Sequence, residues 1–236
     1  MKTEQELKEF FSLLTFDEPS HTYHVGTERV KKSVSSKLKE FYEEFNAELI
    51  APWSAKKAGC STEEILTQWK QKGDEACTKG TRVHYYAEHY SVDRSLEPQC
   101  PQENAVKLFF DRMPSNLKVI ANELRLYNKS GELFAGTMDC LLFNEDTGKY
   151  WIVDYKTNSQ LDRNYKSKKL LTPFRVLLDT SYNKYQLQLS YYKWLVEQVP
   201  EVQIEKMLIV WLKEDTYEMR YCTDYSKELK ELDNKW

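Results

Sequence analysis

The chain has 236 residues, of which 41% are hydrophobic, and its formal net charge is -3. This apolar content suffices for one substantial core, and the charge excludes a globally basic protein that attracts nucleic acid by net charge alone. No apolar run approaches the ~20 residues that span a bilayer, so we expect one domain over residues 1–236, without membrane contact, in the cytoplasm.

The five cysteines are an odd number, lie far apart and include no CxxC pair. This spacing predicts neither a disulfide framework nor a zinc ribbon. We therefore expect ordinary reduced thiols.

The N-terminal segment predicts short helices around one hairpin. Residues 3–14 and 33–45 space their apolar side chains as amphipathic helices do, and residues 21–26 between them suggest a short hairpin. A longer helical region follows. Ser61-Thr-Glu-Glu64 has the form of a capping box and opens a helix that Gly73 should end.

A second helix should follow Gly80 and run past Tyr90. From about residue 118 the chain then predicts strands, because β-branched and aromatic residues become frequent. Three such strands cover residues 119–127, 133–143 and 150–155.

The last third of the chain predicts a loop, a helix and two strands. Residues 158–183 are polar, carry a basic run from Arg163 to Lys169, and predict a long functional loop with some helix. An amphipathic helix should cover residues 185–199, and strands should cover 206–212 and 217–222.

This order of elements predicts an α/β fold with a mixed central β-sheet flanked by helices. We divide the single domain into a helical N-terminal part (1–75), a core (76–222) and a C-terminal helix or tail (223–236).

Two aspartates are predicted to meet on the second hairpin. If residues 145–148 form its loop, the register places Asp139 opposite Asp154. Directly opposed residues share a face of the sheet, with Cβ atoms roughly 5 Å apart. Because side chains alternate along a strand, Lys156 shares this face while Tyr155 points the other way.

Like charges at this distance destabilise a sheet unless a cation compensates them. Mg²⁺ or Mn²⁺ suits carboxylate oxygens, holds a phosphate oxygen and lowers the pKa of a bound water. Lys156 would orient or deprotonate that water, or stabilise charge on the phosphate. The alternative is a pair of solvent-facing charges on an edge hairpin, but the apolar neighbours predict strands buried on both faces.

These residues resemble the active-site hairpin of the PD-(D/E)XK nuclease superfamily, which bears an Asp followed by Asp-x-Lys. Gly80 to Glu88 (GTRVHYYAE) is similar to the GTxxHxxxE helix of the RecB-like branch, and Tyr185 to Tyr192 (YQLQLSYY) is similar to its QxxxY helix. Glu123 stands where this branch commonly carries an acid before the first Asp. No single motif is specific, but the four occur in the right order on the predicted elements.

The resemblance implies a restriction-endonuclease-like core and a small DNA exonuclease of the phage type, which leaves a 5′ phosphate and acts in recombination, repair or phage DNA processing. It implies a metal site formed by Asp139, Asp154, His84 and the Tyr155 carbonyl, with Lys156 catalytic. Residues expected to position substrate or water are Glu88, Glu123, Gln188, Tyr192 and Thr157.

Several points stay open at this stage. His84 and Glu88 lie one helical turn apart on one face, and each could be the third ligand. The expected partner is single-stranded DNA or DNA ends, in a bacterial or phage-infected cytoplasm. Only Cys222 lies beyond the hairpin, so we expect no iron–sulfur cluster.

Two other functions compete with the exonuclease. One is a structure-selective endonuclease, and the other is a nuclease-fold module that binds nucleic acid without cutting it. Because Asp139, Asp154 and Lys156 are all present, the non-catalytic module is the less favoured of the two.

Overall fold

A computed structural model describes residues 1–233, so residues 234–236 of the predicted C-terminal tail lie outside the described part. In chain order the elements are α1 (Glu4–Phe10), β1 (Leu14–Asp17), β2 (Thr22–Val25), β3 (Glu28–Arg29), β4 (Lys32–Ser33), α2 (Val34–Leu38), a 3₁₀ turn (Lys39–Phe41), α3 (Ala47–Ala58), α4 (Thr62–Val92), α5 (Pro101–Asp111), β5 (Leu117–Tyr127), β6 (Phe134–Asn144), β7 (Lys149–Lys156), α6 (Ser181–Val196), β8 (Ile204–Leu212), β9 (Tyr217–Tyr221) and α7 (Ser226–Asp233).

Within residues 1–233 the main sheet has six strands and is mixed, which confirms the predicted α/β class. Its order is β4-β6-β7-β8-β9, and β5 pairs with β6. The neighbours β7 and β8 are parallel and joined through α6, whereas the pairs β5–β6, β6–β7 and β8–β9 are antiparallel. A separate small sheet is formed by β1, β2 and β3.

Both faces of the main sheet are buried, as the apolar composition of its strands predicts. Leu141, Ile152 and Ile209 belong to a core that includes side chains from α1, α2, α6 and α7. Their neighbours Leu142 and Val153 point to a second core, formed with α4 and α5. This alternation follows from the two-residue period of a strand.

The predicted break at Gly73 is wrong, because α4 runs without interruption from Thr62 to Val92. The capping box at Ser61 and Glu64 starts it as predicted. A Cβ at Gly73 would meet nothing within 4 Å, so the residue is a solvent-facing helical glycine. Glycine in a helix interior costs about 1 kcal/mol relative to alanine, which is too little to end a capped helix of 31 residues.

The segment between β7 and α6 contains no helix; of the range 158–183, in which some helix was predicted, only the residues from Ser181 onward are helical, and they belong to α6. Side-chain bonds to the backbone hold it instead. The Asn164 side chain donates to the carbonyls of Lys168 (2.8 Å) and Asp179 (2.9 Å). Lys166 and Ser167 have positive φ angles of 52° and 55°, which a helix does not accommodate.

Two further differences concern helices before the main sheet's long strands. The helix predicted over residues 33–45 is shorter, since α2 and its 3₁₀ turn end at Phe41. The helices α3 and α5 were not predicted.

No helix among residues 1–233 combines the length and the apolarity that crossing a membrane requires.

Candidate active site

The hairpin of β6 and β7 opens into a fork at the predicted aspartates. Its register pairs Asn144 with Lys149, as expected, and the ladder continues to Cys140 and Val153. One step further, Asp139 and Asp154 would oppose each other, but the ladder has ended. The Asp139 carboxylate accepts a hydrogen bond of 2.9 Å from the Tyr155 backbone N–H instead.

The geometry of β6 explains why a fork forms there. Along one edge it pairs with β5 over residues 135–144. On the other edge it pairs with β7 at residues 140–144 and with β4 at residues 134–135. Among residues 1–233, no strand pairs with residues 136–139 on this second edge, which leaves room for side chains to converge.

Three side chains from three elements meet at the fork. One ligand-type atom each from His84 on α4, Glu123 on β5 and Asp139 on β6 lies within 4.8 Å of the others. All three residues are half-buried. We call this group the triad. His84 and Glu123 also line a cleft of about 570 Å³ between α4 and strands β1, β5 and β6, here called the site cleft.

Glu123 enters the triad through an unusual backbone conformation. Its neighbours Asn122 and Leu124 pair with Cys140 and Met138, so Glu123 lies at the level of Asp139. Its φ is +46°, a left-handed value that a non-glycine residue in a strand adopts only when its surroundings enforce it. Burial raises the pKa of the Glu123 carboxyl to about 7, and the neighbouring Asp139 carboxylate adds to the rise.

A backbone carbonyl fixes the ring of His84. Its Nε2 lies 2.9 Å from the Tyr155 carbonyl oxygen, and its Nδ1 lies 3.5 Å from Asp139 Oδ2. A carbonyl only accepts, so Nε2 carries a hydrogen, and Nδ1 is the ring nitrogen left to bind a cation. Nδ1 faces the Asp139 carboxylate, so a single cation could be bound by both groups. In this arrangement the Tyr155 carbonyl, a predicted ligand, accepts the hydrogen bond of His84.

Asp154 is paired with Lys156 and is not part of the triad. Lys156 Nζ lies 2.6 Å from Asp154 Oδ2, and Asp154 is only 1% exposed. Burial raises the pKa of Asp154 to about 6, with the charge of Lys156 opposing the rise. Burial alone would lower the pKa of Lys156, but the charge of Asp154 raises it above its ordinary value. The ammonium is therefore held charged.

The donor set fits a divalent cation. Two carboxylates and an imidazole are the ligands that a mixed oxygen and nitrogen site offers, and the imidazole favours an ion softer than Mg²⁺, such as Mn²⁺. Neither carboxylate oxygen of Asp154 makes a hydrogen bond within residues 1–233, although Oδ2 lies beside the Lys156 ammonium. A buried carboxylate oxygen of this kind requires a donor, an ordered water or a cation.

The predicted QxxxY pair lies on α6 close to the fork. Gln188 Nε2 donates to the Tyr192 hydroxyl at 3.3 Å, and Gln188 Oε1 is buried without a partner in the described chain. Tyr192 packs against β6 at Gly136. A Cβ there would lie 2.9 Å from Tyr192 Cε1 and 2.8 Å from Val34 Cγ2, so only glycine fits between α2 and α6.

Two further predicted residues lie near the triad. Glu88 is half-buried and lines the site cleft, but its carboxylate is not in the metal-type group found in residues 1–233. Thr157 follows β7 and approaches α4, since its Oγ1 lies 4.0 Å from the Cβ position of Gly80.

Sequence analysis missed two residues at the site. The Tyr185 ring lies below Lys156 Nζ, 4.5 Å from the ring centroid, and its hydroxyl donates to Asn158 Oδ1 at 2.9 Å. Arg125 lines the site cleft beside Glu123. Spacing could have found both, because Tyr185 is three residues before Gln188 on one helix face and Arg125 is two residues after Glu123 on one strand.

No protein-family model matches this chain. No curated protein matches it significantly either.

Proposed function

We propose that this protein is a metal-dependent nuclease that hydrolyses phosphodiester bonds of DNA. The observation that carries the proposal is the triad His84, Glu123 and Asp139 directly beside the buried Asp154–Lys156 ion pair. A cation site with a fixed ammonium next to it suits a reaction in which negative charge develops on a phosphate.

In the proposed site His84, Glu123 and Asp139 hold a divalent cation, Mg²⁺ or Mn²⁺. When bound, such an ion polarises a phosphate oxygen and makes a water molecule more acidic. Sequence analysis assigned Glu123 to the residues that position substrate or water. We now include it among the candidate metal ligands, because its carboxylate belongs to the triad. Asp154 supports Lys156 in this arrangement, although the resemblance implies it as a ligand.

Lys156 supplies the positive charge beside the scissile phosphate. Its ammonium is fixed by Asp154 at 2.6 Å and by the ring face of Tyr185. A charged ammonium cannot accept a proton, so Lys156 acts as a hydrogen-bond donor to the phosphate and not as a base. We therefore favour the charge-stabilising role over the roles of orienting or deprotonating water, which sequence analysis also left open for Lys156.

Gln188 and Tyr192 orient groups that enter the fork. Gln188 Oε1 has no partner in the described residues, so it can accept a hydrogen bond from a water molecule or a substrate hydroxyl. Burial raises the pKa of the Tyr192 phenol, which keeps its O–H available as a donor. The placement of these groups on a helix, two hairpin strands and a second helix supports the resemblance to PD-(D/E)XK nucleases.

The test is an incubation of the protein with labelled linear and covalently closed circular DNA, single- and double-stranded, in Mg²⁺, Mn²⁺ or EDTA. We expect linear DNA to be degraded with either metal, circles to survive, and EDTA to stop the reaction. Asp139→Asn should be inactive. Glu145→Gln is the matched control, because it alters an exposed acid at the far end of the same hairpin.

Hydrolysis that persists in EDTA or in Asp139→Asn would refute the proposal. Cutting of closed single-stranded circles would make the protein an endonuclease. Binding of DNA without any cutting under all metal conditions would leave only the non-catalytic module.

A further inference from the structure

The site cleft has an aromatic wall next to the triad. Its lining includes Tyr85 from α4, Phe16 from β1 and Arg125 from β5, besides His84 and Glu123. Tyr85 is 63% exposed although it directly follows His84 in the chain. An exposed aromatic ring so close to a group of ligand-type atoms is a candidate for substrate contact.

One face of the Tyr85 ring already stacks on a neighbouring ring. His89, one turn along α4, lies parallel to it with ring centroids 3.9 Å apart and an interplanar angle of 29°. The His89 Nδ1–H donates to the Tyr85 carbonyl at 2.8 Å, which holds the imidazole in place. One face of Tyr85 is therefore covered and the ring is oriented, so a planar group binding the other face loses little side-chain entropy.

Across the cleft, Arg125 presents a free cation. Its guanidinium lies 5.5 Å from the centroid of the Phe16 ring. Within residues 1–233 it forms no ion pair, whereas Arg82 and Arg220 both do. A guanidinium without a carboxylate partner is suited to a phosphate.

We propose that the site cleft binds an unpaired nucleotide of a single-stranded nucleic acid, with its base stacked on Tyr85 and an adjacent phosphate at Arg125. This rests on the proposed function, since the bound strand would pass its next phosphate to the triad. A base within a duplex is stacked on both sides, so only an unstacked base can use Tyr85. Stacking is tolerant of sequence because every base has a π-face.

The charges of the cleft add a condition. Glu18, Glu88 and Glu123 face it together with the single cation Arg125 among its lining residues. Phosphates are repelled by this excess of carboxylates unless a divalent cation is bound at the triad. Strand binding should therefore require a divalent cation. Ca²⁺ serves as the probe ion because the two carboxylates of the triad are oxygen ligands of the kind it binds, even though the imidazole favours a softer ion.

The experiment measures fluorescence anisotropy of short labelled strands in Ca²⁺: oligodeoxythymidylate, oligouridylate and a blunt DNA duplex. Each strand is checked for intact length afterwards. Wild type should bind the single strands more tightly than the duplex, and EDTA should abolish binding. The DNA and RNA strands identify which nucleic acid the cleft prefers.

Tyr85→Ala should weaken single-strand binding by about 5- to 150-fold, the range that one lost base stack produces. Tyr85→Phe keeps the ring and should bind like wild type. Trp53→Ala is the matched control, because Trp53 is a 76% exposed aromatic on α3 outside the cleft lining. It should leave binding unchanged.

Equal affinities of Tyr85→Ala and wild type would overturn the inference, as would tighter binding of the duplex. A loss in Tyr165→Ala with none in Tyr85→Ala would instead place the strand on the loop between β7 and α6. Tyr85-dependent binding without any hydrolysis in Mg²⁺ or Mn²⁺ would keep this inference and refute the nuclease. Hydrolysis unaffected by Tyr85→Ala would keep the nuclease proposal and refute this inference.

Discussion

Removing one member of the Asp154–Lys156 pair should destabilise the protein more than removing both. At 2.6 Å and an effective dielectric constant of about 20, the direct attraction is about 6 kcal/mol. Desolvation of two buried ions costs several kcal/mol each, so the net contribution of the pair is small. Removal of one partner leaves the other charge buried alone, which costs about 3–5 kcal/mol.

The assay is a double-mutant cycle with Asp154→Ala, Lys156→Met and the double variant, each unfolded in urea. The slope rises with chain length, so it should be about 2–3 kcal/mol/M here, and each single variant should unfold at a urea midpoint roughly 1–2.5 M lower than wild type. Both should still fold without denaturant. The double variant should be at least as stable as either single variant, because no uncompensated charge remains.

The cycle also separates stability from function. If Lys156 provides the charge beside the phosphate, all three variants should be inactive in DNA cleavage, including the double variant with restored stability. Stability losses that add in the double variant would refute the coupling between the two side chains. Cleavage by the double variant at the wild-type rate would refute the role given to Lys156.

The remaining predictions concern pH, packing and metal binding. In the metal-free protein the pKa of Glu123 is raised from 4.5 to about 7, so the folded state binds this proton more tightly and the residue's contribution to stability falls as pH rises through that window. Glu123→Gln should show a flatter dependence of the urea midpoint on pH, and equal slopes would contradict the raised pKa. Gly136→Ala should destabilise the protein by about 1–3 kcal/mol, the usual cost of overpacking. Gly73→Ala, on the exposed part of α4, should stabilise the protein by up to about 1 kcal/mol. Equal thermal midpoints of the two variants would contradict the close packing at β6. His84→Ala should weaken Mn²⁺ binding, measured by calorimetry, by roughly 10–100-fold, and Glu88→Ala should do less. A larger loss for Glu88→Ala would identify the acid as the ligand in place of the imidazole.

The element order from residue 117 onward and the hairpin register were predictable from local signals. The five strands from Leu117 onward were identifiable because β-branched and aromatic residues are frequent in them. Helix α6 was identifiable from its apolar spacing, although its buried residues are not confined to one stripe. The Asn144–Lys149 pairing follows from the turn sequence between them. These features depend on residues close in the chain, which is why composition and spacing suffice.

Elements without a distinctive local signal were misjudged. Gly73 is typical of a helix end, but the free-energy cost of a single glycine is too small to break a helix that is capped at Ser61. The segment after β7 has helical composition in part, yet side-chain bonds from Asn164 hold it in another conformation. The conformation of each segment depends on the sum of many contacts and not on the single residue or composition from which it was predicted.

The candidate site was likewise predictable in part from the sequence and in part only from the tertiary structure. By itself the sequence determined that Asp139, Asp154 and Lys156 lie at one end of a buried hairpin, because alternation along paired strands requires it. Only the tertiary structure decided that Asp154 pairs with Lys156 while Glu123 joins His84 and Asp139. The reason is physical: the ladder of β6 and β7 ends at Cys140 and Val153, and the strands then diverge. Which carboxylates meet is set by that divergence and by a helix distant in the chain, and neither is encoded in the spacing of the motif.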